Sequence, residues 1–98
     1  MTVNKNTENN IVTFKVEGRL DTTTAPSLEK MINEECDTAE GLILDFKNLD
    51  YISSAGLRVL LGAQKKMNKK GFMKLINVCQ TVMSVLEMTG FADILVVE

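Results

Sequence analysis

Apolar and polar residues alternate with period two through "IVTFKVE" (residues 11–17). Val12, Phe14 and Val16 lie on one side and Thr13 and Lys15 on the other, which predicts a half-buried strand. The polar run "NTENN" before it predicts a turn after a short strand near Val3, making an N-terminal hairpin. The period then changes. In "GRLDTTTAPSLEKMINEEC", Leu28, Met31, Ile32 and Cys36 recur at helical spacing, the threonines at 22–24 can cap, and Pro26 suits the first turn. "GLILDF" (41–46) is a short apolar run that reads as a strand buried on both faces, and "KNLDYI" reads as its link to a second helix. From Ala55, helical spacing returns at Leu57, Leu60, Leu61 and Met67. The lysines of "KKMNKKG" complement the negative end of that helix, and Gly71 is placed just past its C-terminus. "FMKLINV" (72–78) predicts another strand. "QTVMSVLEMTGF" predicts a third helix with Val82, Val85 and Leu86 inward and Gly90 in the left-handed position after it, and "ILVV" (94–97) a last strand.

From residue 41 the order is β-α-β-α-β with short connections, so right-handed crossovers give parallel strands with helices covering the sheet. With a hairpin in front, the expectation is one α/β domain over residues 1–98, a mixed β-sheet of four to five strands with helices packed against it. No internal repeat, low-complexity tract or linker divides it.

Composition narrows the chemistry. Apolar residues make up 45% of the 98 residues and charged residues 24%, as in ordinary globular domains. Eleven basic against thirteen acidic side chains leave a net charge of −2, which offers no footprint for direct nucleic-acid binding. No run approaches the roughly 18 apolar residues of a membrane span, and "MTVNKNTENN" has no signal-peptide apolar core. The expected location is therefore the cytoplasm. The chain has no histidine, which removes the usual base of a catalytic triad and the commonest metal ligand. Cys36 and Cys79 form neither a C-x-x-C pair nor a zinc set and read as small buried hydrophobes. No cofactor, metal site or catalytic residue is expected.

One stretch asks for more than packing. "LDYISSAGLRVLLGAQKKM" (49–67) puts Ser53 and Ser54 at the corner where the second helix begins. Ser54 reads as the N-cap, and Gly56 would let another group approach the backbone and leave first-turn N–H groups uncovered. A cap alone would account for the serine. A helix N-terminus also favours an anion, but "SSAGLR" lacks the glycine spacing and lysine of a phosphate-binding loop. A serine nucleophile would need a base, and none is spaced to serve it. A serine can instead be a substrate. A phosphate here would be tolerated by the fold and resisted by any partner docked over it.

The chain resembles the STAS-domain anti-sigma factor antagonists (anti-anti-sigma factors) of bacteria over essentially its whole length. The resemblance is carried by "VEGRLD" (16–21), "LILDFKNLDYISSAGLRVLLGA" (42–63) and "MSVLEMTGF" (83–91). It implies a binding module, not an enzyme. The unphosphorylated form would capture an anti-sigma factor that is also a serine kinase of GHKL type. Phosphorylation at a serine of the corner would release it, and a metal-dependent serine phosphatase would reset the switch. The phosphoacceptor aligns with Ser54. Many family members have an acidic residue directly before the acceptor, where this chain has Ser53. Asp21 aligns with the end of a family "G-x-L-D" segment and is read either as partner-facing or as a turn residue bonding local N–H groups. Thr22, and more weakly Thr23, would line the same surface, and Arg58 would contact an acidic partner or stay solvated. The partner surface is thus Asp21, Thr22, Ser53, Ser54, Gly56 and Arg58. The other reading is a STAS scaffold or ligand sensor that is never phosphorylated.

Overall fold

The computed structural model describes residues 1–98. Thr2–Glu8 (β1) and Ile11–Leu20 (β2) form the expected hairpin, with Glu8 opposite Ile11. The turn is only Asn9 and Asn10, both left-handed with φ of 53° and 65°. That is the two-residue geometry whose twist matches the flanking strands, and asparagine tolerates it better than most residues. β1 is longer than the polar sequence suggested. Its Val3, Lys5 and Thr7 stand opposite Val16, Phe14 and Val12, and Lys5 crosses to an ion pair with Glu35.

The helices are Ala25–Cys36 (α1), Ser54–Asn68 (α2) and Gln80–Thr89 (α3), and the remaining strands Gly41–Asp45 (β3), Leu49–Ile52 (β4) and Phe72–Ile76 (β5). β2, β3 and β5 run parallel, in the sheet order β1-β2-β3-β5. β2 is long enough to serve two partners. Ile11–Lys15 pairs with β3, and Gly18–Leu20 pairs in parallel with β4. Leu28 and Ile32 of α1, Leu57, Leu60, Ala63 and Met67 of α2, and Val82 and Leu86 of α3 pack with Val12, Phe14, Val16, Leu42, Leu44, Met73 and Leu75 in one core. Those strand residues form one alternate set. Thr13, Lys15, Ile43 and Lys74, on the other face, are only partly covered or exposed. β3 is therefore buried on one face rather than the two expected.

Two further expectations are corrected. "KNLDYI" contains the strand β4. It has four residues, with Leu49 and Ile52 buried around exposed Asp50 and Tyr51, a pattern that is not alternation. "ILVV" is not a strand. Gly90 (φ 82°) leads into a 3-10 turn at Phe91–Asp93, which engages the N–H groups of Ile94 and Leu95. Only a single bridge, Leu75 to Val97, joins the tail to β5. Gly71 lies just past α2 as expected, its N–H donating to the Met67 carbonyl at 2.8 Å. A Cβ there would lie 1.9 Å from the Glu40 carbonyl oxygen, so glycine is needed where two chain segments cross. Cys36 is buried as expected, and burial pushes its thiol up. Cys79 is only half-buried, its thiol donating to the Leu49 carbonyl at 3.3 Å.

Candidate partner-binding corner

The parallel strands β2 and β4 end side by side at Leu20 and Ile52. The Ser53 N–H donates to the Leu20 carbonyl at 2.9 Å, which ties the start of α2 to the loop that starts α1. Segments about thirty residues apart in sequence thus form one rim, at the carboxyl ends of the strands.

Ser53, not Ser54, is the N-cap of α2. Extended backbone continues from β4 through Ser53 (φ −101°, ψ 176°), and its Oγ accepts from Gly56 N–H at 3.5 Å. The helix therefore begins one residue earlier than periodicity suggested. Ser54 occupies its first position, exposed. Gly56 is also corrected. It is buried, and a Cβ would fall 2.8 Å from Leu20 Cγ and 2.9 Å from Ile52 Cγ1. Its missing side chain lets α2 sit down on the strand ends and opens nothing to the outside.

Asp21 is engaged locally. Its Oδ1 accepts from the Thr23 N–H (3.0 Å), the Thr23 hydroxyl (2.8 Å) and the Thr24 N–H (3.2 Å), a carboxylate-closed turn ahead of α1. The Thr23 hydroxyl above all holds its carboxyl below the usual range, against a smaller opposing effect of burial. Thr24, which precedes α1, does not cap it with its side chain. Its Oγ1 accepts from Asp21 N–H at 2.8 Å and donates to the Arg19 carbonyl. Asp21 Oδ2 lies 3.7 Å from Arg19 Nε, and the Arg19 guanidinium sits 4.1 Å from the centre of the Tyr51 ring. Thr22 is exposed beside this turn, and Arg58 is exposed one helical turn after Ser54.

A family model described as the STAS domain matches residues 2–98. The chain belongs to the STAS domain family. Among curated proteins, this STAS domain is similar to BtrV of Bordetella bronchiseptica, at 36% identity over 81% of the chain and 70% of the relative. It is 31% identical to an anti-sigma F factor antagonist of Paenibacillus polymyxa, over 87% of the chain and 75% of the relative. It is 29% identical to an anti-sigma-B factor antagonist of Bacillus subtilis, over 93% and 84%. Among solved structures, the unphosphorylated anti-sigma factor antagonist SpoIIAA superposes with a TM-score of 0.86 at 19% identity, covering 99% of this chain and 88% of that one. The phosphorylated form of the Bacillus protein SpoIIAA gives 0.78 at 18% identity, over 99% and 91%. At that identity the likeness establishes the fold.

Of the residues singled out from sequence, the STAS domain gathers Asp21, Thr22, Ser53, Ser54 and Arg58 at one end and turns Gly56 inward. Arg19 and Tyr51 belong to the same rim and were missed. Their stacking becomes visible only once β4 is a strand paired with β2, since Arg19 and Tyr51 are register partners. No group of three or more His, Cys, Asp or Glu side chains is placed to hold a metal ion, and no helix is long and apolar enough to cross a membrane.

Proposed function

We propose that this STAS domain is an anti-sigma factor antagonist whose grip on an anti-sigma factor serine kinase is released by phosphorylation of Ser54. The observation that carries the reading is the division between the two serines. Ser53 is partly covered and spends its hydroxyl on the Gly56 N–H, whereas Ser54 is exposed and leads the helix. The relatives named as anti-sigma factor antagonists support the partner class. The kinase is of the GHKL type, and a metal-dependent serine phosphatase resets the switch. Ser53 stands where many relatives carry an acid, and its hydroxyl supplies the cap that a carboxylate would supply. That departure therefore lends no weight to a scaffold that is never phosphorylated.

The energetics favour a switch over a structural change. Phosphoserine carries about −1.5 to −2 charges at pH 7. At a helix N-terminus a negative charge is favourable by about 0.3–1 kcal/mol. Within a docked interface the same charge meets desolvation and repulsion of about 2–5 kcal/mol, or roughly thirty- to several thousand-fold in affinity. The fold scarcely registers the phosphate, and the complex does.

The test is peptide mass spectrometry of the protein from its own host, together with kinase binding by Ser54→Ala and Ser54→Asp forms. A single phosphate on Ser54, tight binding by the alanine form and at least thirtyfold weaker binding by the aspartate form are expected. A phosphate confined to Ser53, or an aspartate form that binds as tightly as the unmodified protein, overturns the reading.

A further inference from the structure

α1 and α2 run in the same direction, and a furrow lies between them along their outer side. At mid-helix it is lined by Glu29, Ile32 and Asn33 of α1 and by Val59, Gly62 and Ala63 of α2, with a volume of about 130 Å³. Toward the helix C-termini it widens into a cleft of about 320 Å³ lined by Cys36, Asp37, Lys65, Lys66, Lys69 and Lys70. Lys66 borders both parts, and its ammonium donates to the Asn33 side-chain oxygen.

Two independent features of this furrow go beyond what the folded chain uses. The first is charge. None of the four lysines is in a salt bridge; the ion pairs of the chain are Lys5–Glu35, Arg19–Asp21 and Lys74–Glu98. In the wide cleft the four lysines face Asp37 alone, with Glu29 further along the furrow, and the two helix C-termini contribute only about half a negative charge each. The cleft stays positive by about two charges in a chain whose net charge is −2. The second is Gly62. It lies exposed in the interior of α2, where glycine is the least favourable residue short of proline. A Cβ at this position would meet nothing within 4 Å. Neither packing nor a left-handed backbone calls for glycine there. What glycine leaves is room for another backbone to come close.

We propose that the furrow seats a segment of a partner protein, its acidic residues against Lys65, Lys66, Lys69 and Lys70 and its backbone closing over Gly62. A protein segment fits better than nucleic acid or a lipid surface. The lining holds no aromatic side chain on which bases could stack, and the rest of an acidic chain repels both polyanions. Glu29 at mid-furrow repels acids placed there, which favours an extended or helical segment with its acids gathered at the lysine end. The inference is independent of phosphorylation at Ser54, which lies at the opposite end of α2.

The test uses isotope-labelled full-length protein and a blocked twelve-residue peptide of Glu, Asp, Ala and Leu with its acids at one end. Controls are its Gln/Asn isomer, inorganic polyphosphate and anionic lipid vesicles, all at physiological salt. Amide shifts centred on Asn33, Val59, Gly62 and Lys66 are expected for the acidic peptide alone. The pair Lys69→Glu and Lys70→Glu should weaken binding at least tenfold. Gly62→Ala should raise the thermal midpoint by about 4–8 °C and yet weaken the peptide at least threefold. A stabilised Gly62→Ala protein that binds as well as the parent overturns the proposal, as does one that melts lower, because the glycine would then serve the fold. Equal response to polyphosphate or vesicles, or shifts confined to the lysines, overturns it as well.

Discussion

Replacing Ser53 by alanine removes the side-chain acceptor at the start of α2, while the same change at Ser54 touches an exposed side chain that the cap does not use. The Ser53 bond is long, 3.5 Å, so its loss belongs in the lower part of the capping range, about 0.5–1 kcal/mol. Ser54→Ala should stay within about 0.5 kcal/mol of the parent. Urea unfolding of the two variants checks the order, and a larger loss at Ser54 would return the cap to that residue. Asp21 supplies the second residue-scale expectation. Its carboxyl is lowered in the folded state by the Thr23 and Thr24 donors. Its contribution to stability is therefore present above the unfolded value, about 3.9, and is lost as pH falls through the folded value. Asp21→Asn should flatten that part of the acid-unfolding curve and lower stability at neutral pH, where the carboxylate's contribution is fully present. An unchanged acid limb would show that the turn closes without the carboxylate.

At the scale of elements, the seat of α2 depends on one missing methyl group. Gly56→Ala would push a Cβ to 2.8 Å from Leu20 Cγ and 2.9 Å from Ile52 Cγ1, an overpacking that costs about 1–3 kcal/mol. Better helix propensity returns up to about 1 kcal/mol, so a net loss of about 1–2 kcal/mol is expected by thermal or urea unfolding. An unchanged midpoint would mean that the strand ends yield freely. α1, α2, α3 and β2 were legible because each is long enough to repeat its apolar period on one face, and β3 and β5 because each is a short apolar run bounded by polar residues or glycine. β4 was not, since four residues with both ends buried repeat nothing. That miss propagated. Without β4 the extended backbone through Ser53 was invisible, the cap was placed one residue late, Gly56 was turned outward, and the Arg19–Tyr51 stack had no reason to exist. The tail failed for the opposite reason. "ILVV" has the apolar residues of a strand, but the turn after Gly90 takes up the backbone donors of Ile94 and Leu95, and only Leu95 is buried.

For the molecule as a whole, parallel crossovers gather the N-termini of α1 and α2 at one end and their C-termini, with the lysine cleft, at the other. The chain is about 32 Å in its longest dimension, and α2 alone spans about 22 Å at 1.5 Å per residue. The corner and the cleft are thus about two thirds of that dimension apart, on a scaffold whose core joins both ends. All three helices share one face of the sheet, so the two features lie on the helical side, within reach of one elongated partner. Assigning the cap to one serine and solvent exposure to its neighbour also has a consequence over generations. Position 53 is held by selection for folding. Position 54 makes no side-chain hydrogen bond in the native state, so a single nucleotide change there can create or erase the proposed phosphorylation site without passing through a destabilised intermediate. Lineages descended from one ancestor can then differ in regulation while their domains remain equally well folded.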